Sequence, residues 1–200
     1  MLSKAFCRER TCAFPTYFFI QSISAKQHNM IVFWIFLSLL ILQRLFELVL
    51  ARRNERILKS IGAIEFDKNG YKVIVAMHVL FLVSLVTEKV FFERKLNGLW
   101  FLFLALFLCA QALRYWAISS LGVYWNTKVL VAPDHNIVIS GPYKYFRHPN
   151  YIAVIIEIAT IPLIFSCYIT AAVFSVINLI LLRRRIRIEE EALQQASTSV

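Results

Sequence analysis

The chain has 200 residues, of which 59% are hydrophobic and only 17% are charged, and its mean hydropathy is +0.63. A water-soluble domain of this length has too small a core to hide so much apolar surface, so the composition excludes an ordinary soluble protein. The formal net charge of +10 would suit nucleic acid, but the basic residues cluster at the ends of apolar blocks, which is typical of membrane topology signals. We predict an integral membrane protein that does not bind nucleic acid.

Residues 1–29 differ from the rest of the chain, because polar residues are scattered through them around one short apolar patch, "FPTYFFI". They lack the basic, apolar and small-residue order of a signal peptide with a cleavage site. Met30 then opens a clean apolar block. Our hypothesis is that the natural start is Met30, that residues 1–29 are either a mis-called extension or a dispensable arm, and that residues 30–200 form a single membrane domain. We expect deletion of residues 1–29 to leave membrane insertion and activity intact.

The apolar blocks predict five membrane-crossing helices, because a helix needs about 20 apolar residues to span a bilayer. Gly62 and the pair Asn69-Gly70 indicate turns after the first block. The last block, residues 151–182, is too long for one helix and too short for two full spans, and Pro162 lies near its middle. We interpret it as a hairpin of two short helices, with a single tilted and kinked helix as the alternative. The predicted all-α membrane fold has helices at about 30–50, 73–92, 99–118, 151–164 and 168–182.

The charge pattern orients this fold. If the tail after Leu182 faces the cytoplasm, five spans place residues 51–72 and 119–150 on the same side, and both loops are rich in Lys and Arg. The positive-inside rule favours this arrangement, although the basic residues of the N-terminal extension would then lie outside. The expected location is the cytoplasmic membrane, with the carboxyl terminus in the cytoplasm.

Several ionisable residues fall inside the apolar blocks, where an unpaired charge costs at least about 2.5–3.5 kcal/mol. Arg44 and Glu47 are three residues apart and can pair on one helix face. Glu88 and Arg114 lie near segment ends and are interpreted as capping or snorkelling residues. A buried acid and a histidine complete the set, for which the sequence indicates no specific role: Glu157 and His78. The four cysteines have no metal-ligand spacing and predict no disulfide framework.

One stretch places polar and aromatic side chains directly before a predicted helix: "HNIVISGPYKYFRHPNY", residues 135–151. It is followed, after the predicted hairpin, by "RRRIRIEEEAL" at 183–193. Pro149 suits the first position of a helix, whose free N–H groups would face a pocket at that end. Lys144 and Tyr145 are interpreted as interfacial anchors.

These two motifs resemble the signature of the isoprenylcysteine carboxyl methyltransferase family, membrane enzymes that use S-adenosylmethionine (SAM). The matching features are His135, the Ile137-Val138 pair, Gly141-x-Tyr143, "RHPNY" at 147–151 and the Glu-Glu-x-x-Leu tail. The resemblance covers essentially residues 30–193. The middle of the chain looks more like the bacterial branch of the family, some members of which methylate alkylpyrones.

The resemblance implies a cytoplasm-facing SAM pocket and a lipophilic or prenylated acceptor that enters from the bilayer, with no metal. On the alignment of the tail, Arg185 is the substrate-side arginine, and Arg187 takes that role if the tail shifts by two residues. The implied SAM contacts are His135, Asn136, Ile137, Val138, Tyr143, His148, Pro149, Tyr151, Glu189 and Glu190.

The expected reaction is direct methyl transfer to a carboxylate or acidic hydroxyl oxygen, driven by alignment and exclusion of water. Two departures from the family pattern matter: Ile152-Ala153 stands where a glycine is common, and the aromatic continuation beyond Leu193 is missing. Similar Arg-His-Pro-x-Tyr runs occur in phospholipid N-methyltransferases and in NADPH-dependent membrane reductases. These two classes are the alternatives.

Overall fold

The computed structural model describes the backbone of residues 13–132 and 140–198, and side chains from residue 27 to 132 and from 140 to 194. Its helices and strands, in chain order, are α1 (Ala13–Ser60), β1 (Ile64–Phe66), α2 (Lys68–Phe91), α3 (Trp100–Leu121), β2 (Val129–Val131), α4 (Pro149–Ile164) and α5 (Tyr168–Thr198). The chain divides into two compact units, residues 1–43 and residues 44–200. All contacts described below lie within the second unit.

The predicted all-α membrane fold is confirmed. Within the residues that the structure describes, three stretches are long and apolar enough to cross a membrane: Gln27–Ser60, Lys68–Phe91 and Trp100–Tyr124. Helix α4 is apolar but shorter, and α5, part of which was predicted as a fifth crossing helix, is not among them. Large apolar side chains on these helices remain exposed, including Leu42, Phe46 and Leu80. Exposure of this kind is what a lipid-facing surface requires, since lipid tails are as apolar as the side chains.

Several helices extend beyond the predicted apolar blocks. Helix α1 contains the predicted helix 30–50 but continues to Ser60, because "ARRNERILKS" consists largely of good helix formers. Helix α5 continues to Thr198 rather than ending at about residue 182, for the same reason. The predictions used the hydrophobicity of each segment, and a helix does not end where its exposed residues become charged.

The turn predicted at Asn69-Gly70 is wrong, since both residues lie in the first turn of α2. Asp67 precedes the helix in a left-handed conformation, and its carboxylate accepts a hydrogen bond from Gly70 N at 3.1 Å. A Cβ at Gly70 would lie 1.8 Å from the Asp67 carboxylate. The glycine therefore makes room for a side-chain cap instead of ending a helix.

The hairpin predicted for residues 151–182 is present, and the single-helix alternative is wrong. Helix α4 ends at Ile164, and Ser166 adopts a positive φ of 57° in the turn before α5. Glu88 caps the start of α5, accepting from Thr170 N at 2.7 Å and from Ile169 N at 3.3 Å. This carboxylate satisfies two of the N–H groups that a helix start leaves without partners, as the predicted capping role requires.

An unpredicted two-stranded sheet joins the loop after α1 to the connector between α3 and α4. Strands β1 and β2 pair antiparallel, with Glu65 opposite Leu130. The sheet packs against the carboxyl-terminal part of α5 through Ala192 and Leu193. Lys128 lies between two carboxylates, 2.7 Å from Glu55 and 3.3 Å from Glu65. These contacts position the tail of α5 beside the α3–α4 connector.

Candidate active site

The turn Gly141–Lys144 lies against the carboxyl-terminal end of α3. Gly141 has a positive φ of 57°, and a Cβ there would lie 2.0 Å from Ser120 Oγ and 3.0 Å from Trp116 Nε1. Only glycine tolerates both the backbone conformation and the close approach. The glycine of the Gly-Pro-Tyr motif therefore seats the motif directly on α3.

The first turn of α4 presents two aromatic rings side by side. His148 is the residue before the helix, and the buried Pro149 occupies its first position, where no N–H is needed. The rings of His148 and Tyr151 stack with centroids 5.4 Å apart and an interplanar angle of 19°. The sequence expectation of a helix starting at Pro149 is confirmed.

The charged tail of α5 meets this turn. The Tyr151 hydroxyl donates to Glu189 Oε2 and accepts from Arg185 Nε at 3.0 Å. His148 Nε2 lies 3.3 Å from Glu190 Oε1, so that the ring nitrogen donates to the carboxylate. Five of the sequence-predicted residues are thus in direct contact: His148, Tyr151, Arg185, Glu189 and Glu190.

Arg185 is held at three points. Besides the Tyr151 hydroxyl, its Nη2 donates to the carbonyl oxygen of Thr127, and its guanidinium carbon lies 5.8 Å from the centre of the Tyr151 ring. The side chain is buried, with 8% of the residue exposed. Nη1 makes no hydrogen bond among the described residues, so this nitrogen of a fixed guanidinium can donate to a further partner.

Tyr143 lies within electrostatic range of Glu189. Burial raises the pKa of its phenol well above the ordinary value, and the charge of Glu189 raises it further. The phenol is therefore protonated at physiological pH and can donate a hydrogen bond. The negative potential of Glu189, which adds to the effect of burial, also favours a cationic ligand.

The remaining predicted residues divide into two groups. His135, Asn136, Ile137 and Val138 lie outside the described residues. Arg187, Lys144 and Tyr145 are exposed, and Arg187 makes no hydrogen bond or ion pair within the described part of the chain. Between the two candidate arginines, the structure brings only Arg185 to the motif.

A second polar cluster, which we call the buried cluster, consists of Arg44, Glu47, Gln111, Arg114 and Glu157. Glu157 accepts from Arg114 through both carboxylate oxygens, at 2.8 and 2.5 Å, and from Gln111 at 2.9 Å. It also accepts from Arg44 Nη2. Two arginines and two glutamates make the cluster electrically neutral, so that every charge is paired at membrane depth.

The buried cluster answers the questions that the sequence left open. Arg44 and Glu47 do pair, at 2.7 Å. Arg114 does not snorkel or cap, because 4% of it is exposed and it binds Glu157 in the interior. His78 is satisfied by the backbone, since its Nδ1 donates to Ile74 O at 2.8 Å. The sequence signal for the missed pair was two opposite charges, Arg114 and Glu157, inside different apolar blocks.

A family model for the isoprenylcysteine carboxyl methyltransferase family matches residues 103–195, which include the entire site. The chain is 46% identical over 166 residues to the uncharacterized protein YpbQ of Bacillus subtilis, covering 83% of this chain and 99% of that protein. It is 32% identical over 151 residues to an uncharacterized protein of Haemophilus influenzae, covering 75% of this chain and 88% of that protein.

The chain belongs to the isoprenylcysteine carboxyl methyltransferase family. Membership makes it a membrane methyltransferase, and the apolar helices described above agree with that class. No solved structure matches the chain significantly. The family resemblance that the motifs predicted is confirmed. The names of the two relatives describe no activity, so membership of the alkylpyrone-methylating branch stays a prediction.

Proposed function

We propose that the protein transfers the methyl group of SAM to an ionised oxygen, a carboxylate or an acidic hydroxyl, of a lipophilic acceptor. The observation that carries the proposal is the chain of contacts Glu189–Tyr151–Arg185, which joins an acidic side to a basic side through one tyrosine hydroxyl. SAM is a cation and the acceptor is an anion, so that a site for both needs charges of both signs close together.

The acidic side fits SAM chemically. Glu189 and Glu190 each accept one hydrogen bond from the described motif residues, from Tyr151 and His148, and a carboxylate has acceptor capacity for several. The free capacity suits the ammonium group or the ribose hydroxyls of SAM. Aromatic faces at Tyr143 and Tyr151 suit its sulfonium or adenine. The residues His135, Asn136, Ile137 and Val138 complete the proposed SAM contacts, together with Pro149.

The basic side fits the acceptor. Arg185 Nη1 is the donor that we assign to the acceptor oxygen, because Nε and Nη2 already have partners. Bonds to Tyr151 and Thr127 fix the guanidinium plane, so that little rotamer entropy is lost when the acceptor binds. An oxygen that is already ionised needs no general base, and the role of Arg185 is to orient it.

Bound SAM would supply an electrophilic methyl group: the acceptor oxygen forms the C–O bond, the C–S bond breaks, and its electron pair stays on sulfur to give a neutral thioether. The residues of the chain contribute alignment and exclusion of water, which are the main sources of rate for a reaction without proton transfer. The site and the carboxyl terminus would face the cytoplasm, where SAM is available, and the acceptor would enter from the bilayer.

The proposal is tested with the purified full chain in detergent or nanodiscs. Titration calorimetry with SAM and, separately, with NADPH distinguishes a methyltransferase from a reductase. Radiolabelled SAM is then supplied with a farnesylcysteine derivative, an alkylpyrone and phosphatidylethanolamine. We expect SAM binding and label in one of the two oxygen acceptors. Label in phosphatidylethanolamine alone, or binding of NADPH without SAM, would overturn the proposal.

A further inference from the structure

The buried cluster is joined to the motif site by helix α4. Glu157 and Tyr151 lie on this helix six residues apart, which is about 9 Å along its axis. Arg114 extends the connection, because its Nη1 lies 3.4 Å from Asn150 Oδ1, one residue before Tyr151. One arginine on α3 therefore binds α4 at two points, one at membrane depth and one in the first turn that carries the motif.

Helix α3 supports the motif from both ends. Its carboxyl-terminal end receives Gly141 against Trp116 and Ser120, while Arg114, fewer than two turns earlier, binds Glu157 and Asn150. Between these points Tyr145–Arg147 are exposed, and the motif is held on its other side by the contacts of His148 and Tyr151 with α5. The position of His148 and Tyr151 relative to α5 therefore depends in part on the contacts of α3 with α4.

We infer that Arg114 and Glu157 are positioning residues for the methyl-transfer site. Both carboxylate oxygens of Glu157 accept from Arg114, and this ion pair sets the rotation of α4 and its position along its own axis. That placement of α4 brings Tyr151 to Arg185 and Glu189. This inference rests on the proposed function. A carboxylate held by both oxygens fixes rotation as well as distance, whereas a single hydrogen bond fixes distance alone. A shift of α4 by about 1 Å would break the contacts of Tyr151, and displacements of this size can cost about a hundredfold in rate.

A positioning pair and an ordinary stabilising contact differ in which property changes when the pair is removed. If it only stabilised the bundle, removing one partner would lower the unfolding temperature and leave the activity of each folded molecule unchanged. If it positions α4, the folded molecules themselves lose activity, and the first turn of α4 loosens. A matched control exists in the same cluster: Glu47, a buried carboxylate on α1 that pairs with Arg44 at 2.7 Å and lies 3.6 Å from Arg114.

The test compares Glu157→Gln with Glu47→Gln in the full chain. Each removes one negative charge from the cluster, but only the first removes the carboxylate on α4. We expect methyl transfer per folded molecule to fall about a hundredfold in E157Q and less than about threefold in E47Q. Hydrogen exchange at the amides of Tyr151 and Ile152, which bond to His148 O at 3.1 and 3.3 Å, should accelerate in E157Q alone.

Asn150→Ala keeps the test decisive if E157Q fails to fold, because it removes the second contact of Arg114 without unbalancing a buried charge. We expect it to accelerate the same amides. Equal exchange at Tyr151 and Ile152 in wild type and variants, with activity per folded molecule unchanged, would overturn the inference. A wild-type protein that transfers no methyl group from SAM would refute the proposed function instead, and the exchange measurement would still decide whether α3 positions α4.

Discussion

The motif site and the buried cluster contain the same kinds of side chains, arginine and glutamate, but satisfy them differently. In the buried cluster, Glu157 accepts four hydrogen bonds from three residues and 1% of it is exposed. At the motif site, Glu190 has one described partner, and its side chain is 45% exposed. Charged groups whose hydrogen-bonding capacity is filled by protein partners hold helices together, whereas charged groups with unused hydrogen-bonding capacity are available to a ligand.

The largest effect should come from breaking the buried cluster. Arg114→Ala leaves Glu157 buried with fewer partners, and removing one side of a buried pair costs about 3–5 kcal/mol. Arg44→Ala should cost less, because Arg44 donates one hydrogen bond to Glu157 whereas Arg114 donates two. Unfolding in detergent, followed by circular dichroism, measures both. Equal stability of the two variants would contradict the distinction between them.

The next largest effect concerns the donor of the motif site. Arg185→Ala should lower kcat about a hundredfold, as expected for loss of a fixed donor to a reacting oxygen, and leave the Kd of SAM nearly unchanged. Arg187→Ala is the matched control, because Arg187 is exposed on the same helix and should change neither. Equal loss of SAM affinity in the Arg185 variant would show that this residue belongs to the SAM side.

The acidic side should respond in the opposite way. Glu190→Gln removes a charge from the group near His148 and should raise the Kd of SAM about tenfold, which is the effect of weakening one charged hydrogen bond. Glu191→Gln changes the net charge equally at an exposed neighbouring position and should have little effect. Calorimetric titration with SAM compares them, and the same Kd in both variants would exclude Glu190 from the SAM contacts.

The smallest effect should arise at a buried polar group that belongs to neither region. The Asn178 side chain is buried on α5, and both its amide atoms lack a partner among the described residues. Asn178→Leu should therefore raise the free energy of unfolding by about 1 kcal/mol. Thr170→Val is the contrasting change, because Thr170 is equally buried but bonded to Glu88, and its loss should destabilise. A destabilised N178L would mean that the amide has a partner such as bound water.

The helices were readable from the sequence, but their ends were not. Long apolar blocks predicted α2, α3, α4 and the start of α5 to within a few residues, because a membrane-crossing helix requires such a block. The charged ends of α1 and α5 and the cap at Asp67 were missed, since capping and exposed helix formers leave no hydrophobic signal. The two strands were missed for a different reason, because segments of three residues are too short to show the alternating pattern of a strand.

The motif residues were also readable, as chemical types in a fixed order. The order did not show that Arg185 rather than Arg187 lies at Tyr151, because that choice depends on the rotation of α5 when it packs on α4 and the small sheet. Nor did it show that Glu157 finds its partners on α1 and α3, more than 40 residues away in the chain.

The sequence by itself determined a membrane protein of this family, because composition and motif order can be read without knowing any contact between residues. The tertiary structure alone decided which polar side chains of different helices meet. Pairing of Arg114 with Glu157, and of Arg185 with Tyr151, depends on helix rotation and depth, which are set by packing among helices that are distant in sequence. An unpaired charge is costly at membrane depth. The pairings therefore distinguish the side chains that stabilise the fold from those that remain available for chemistry.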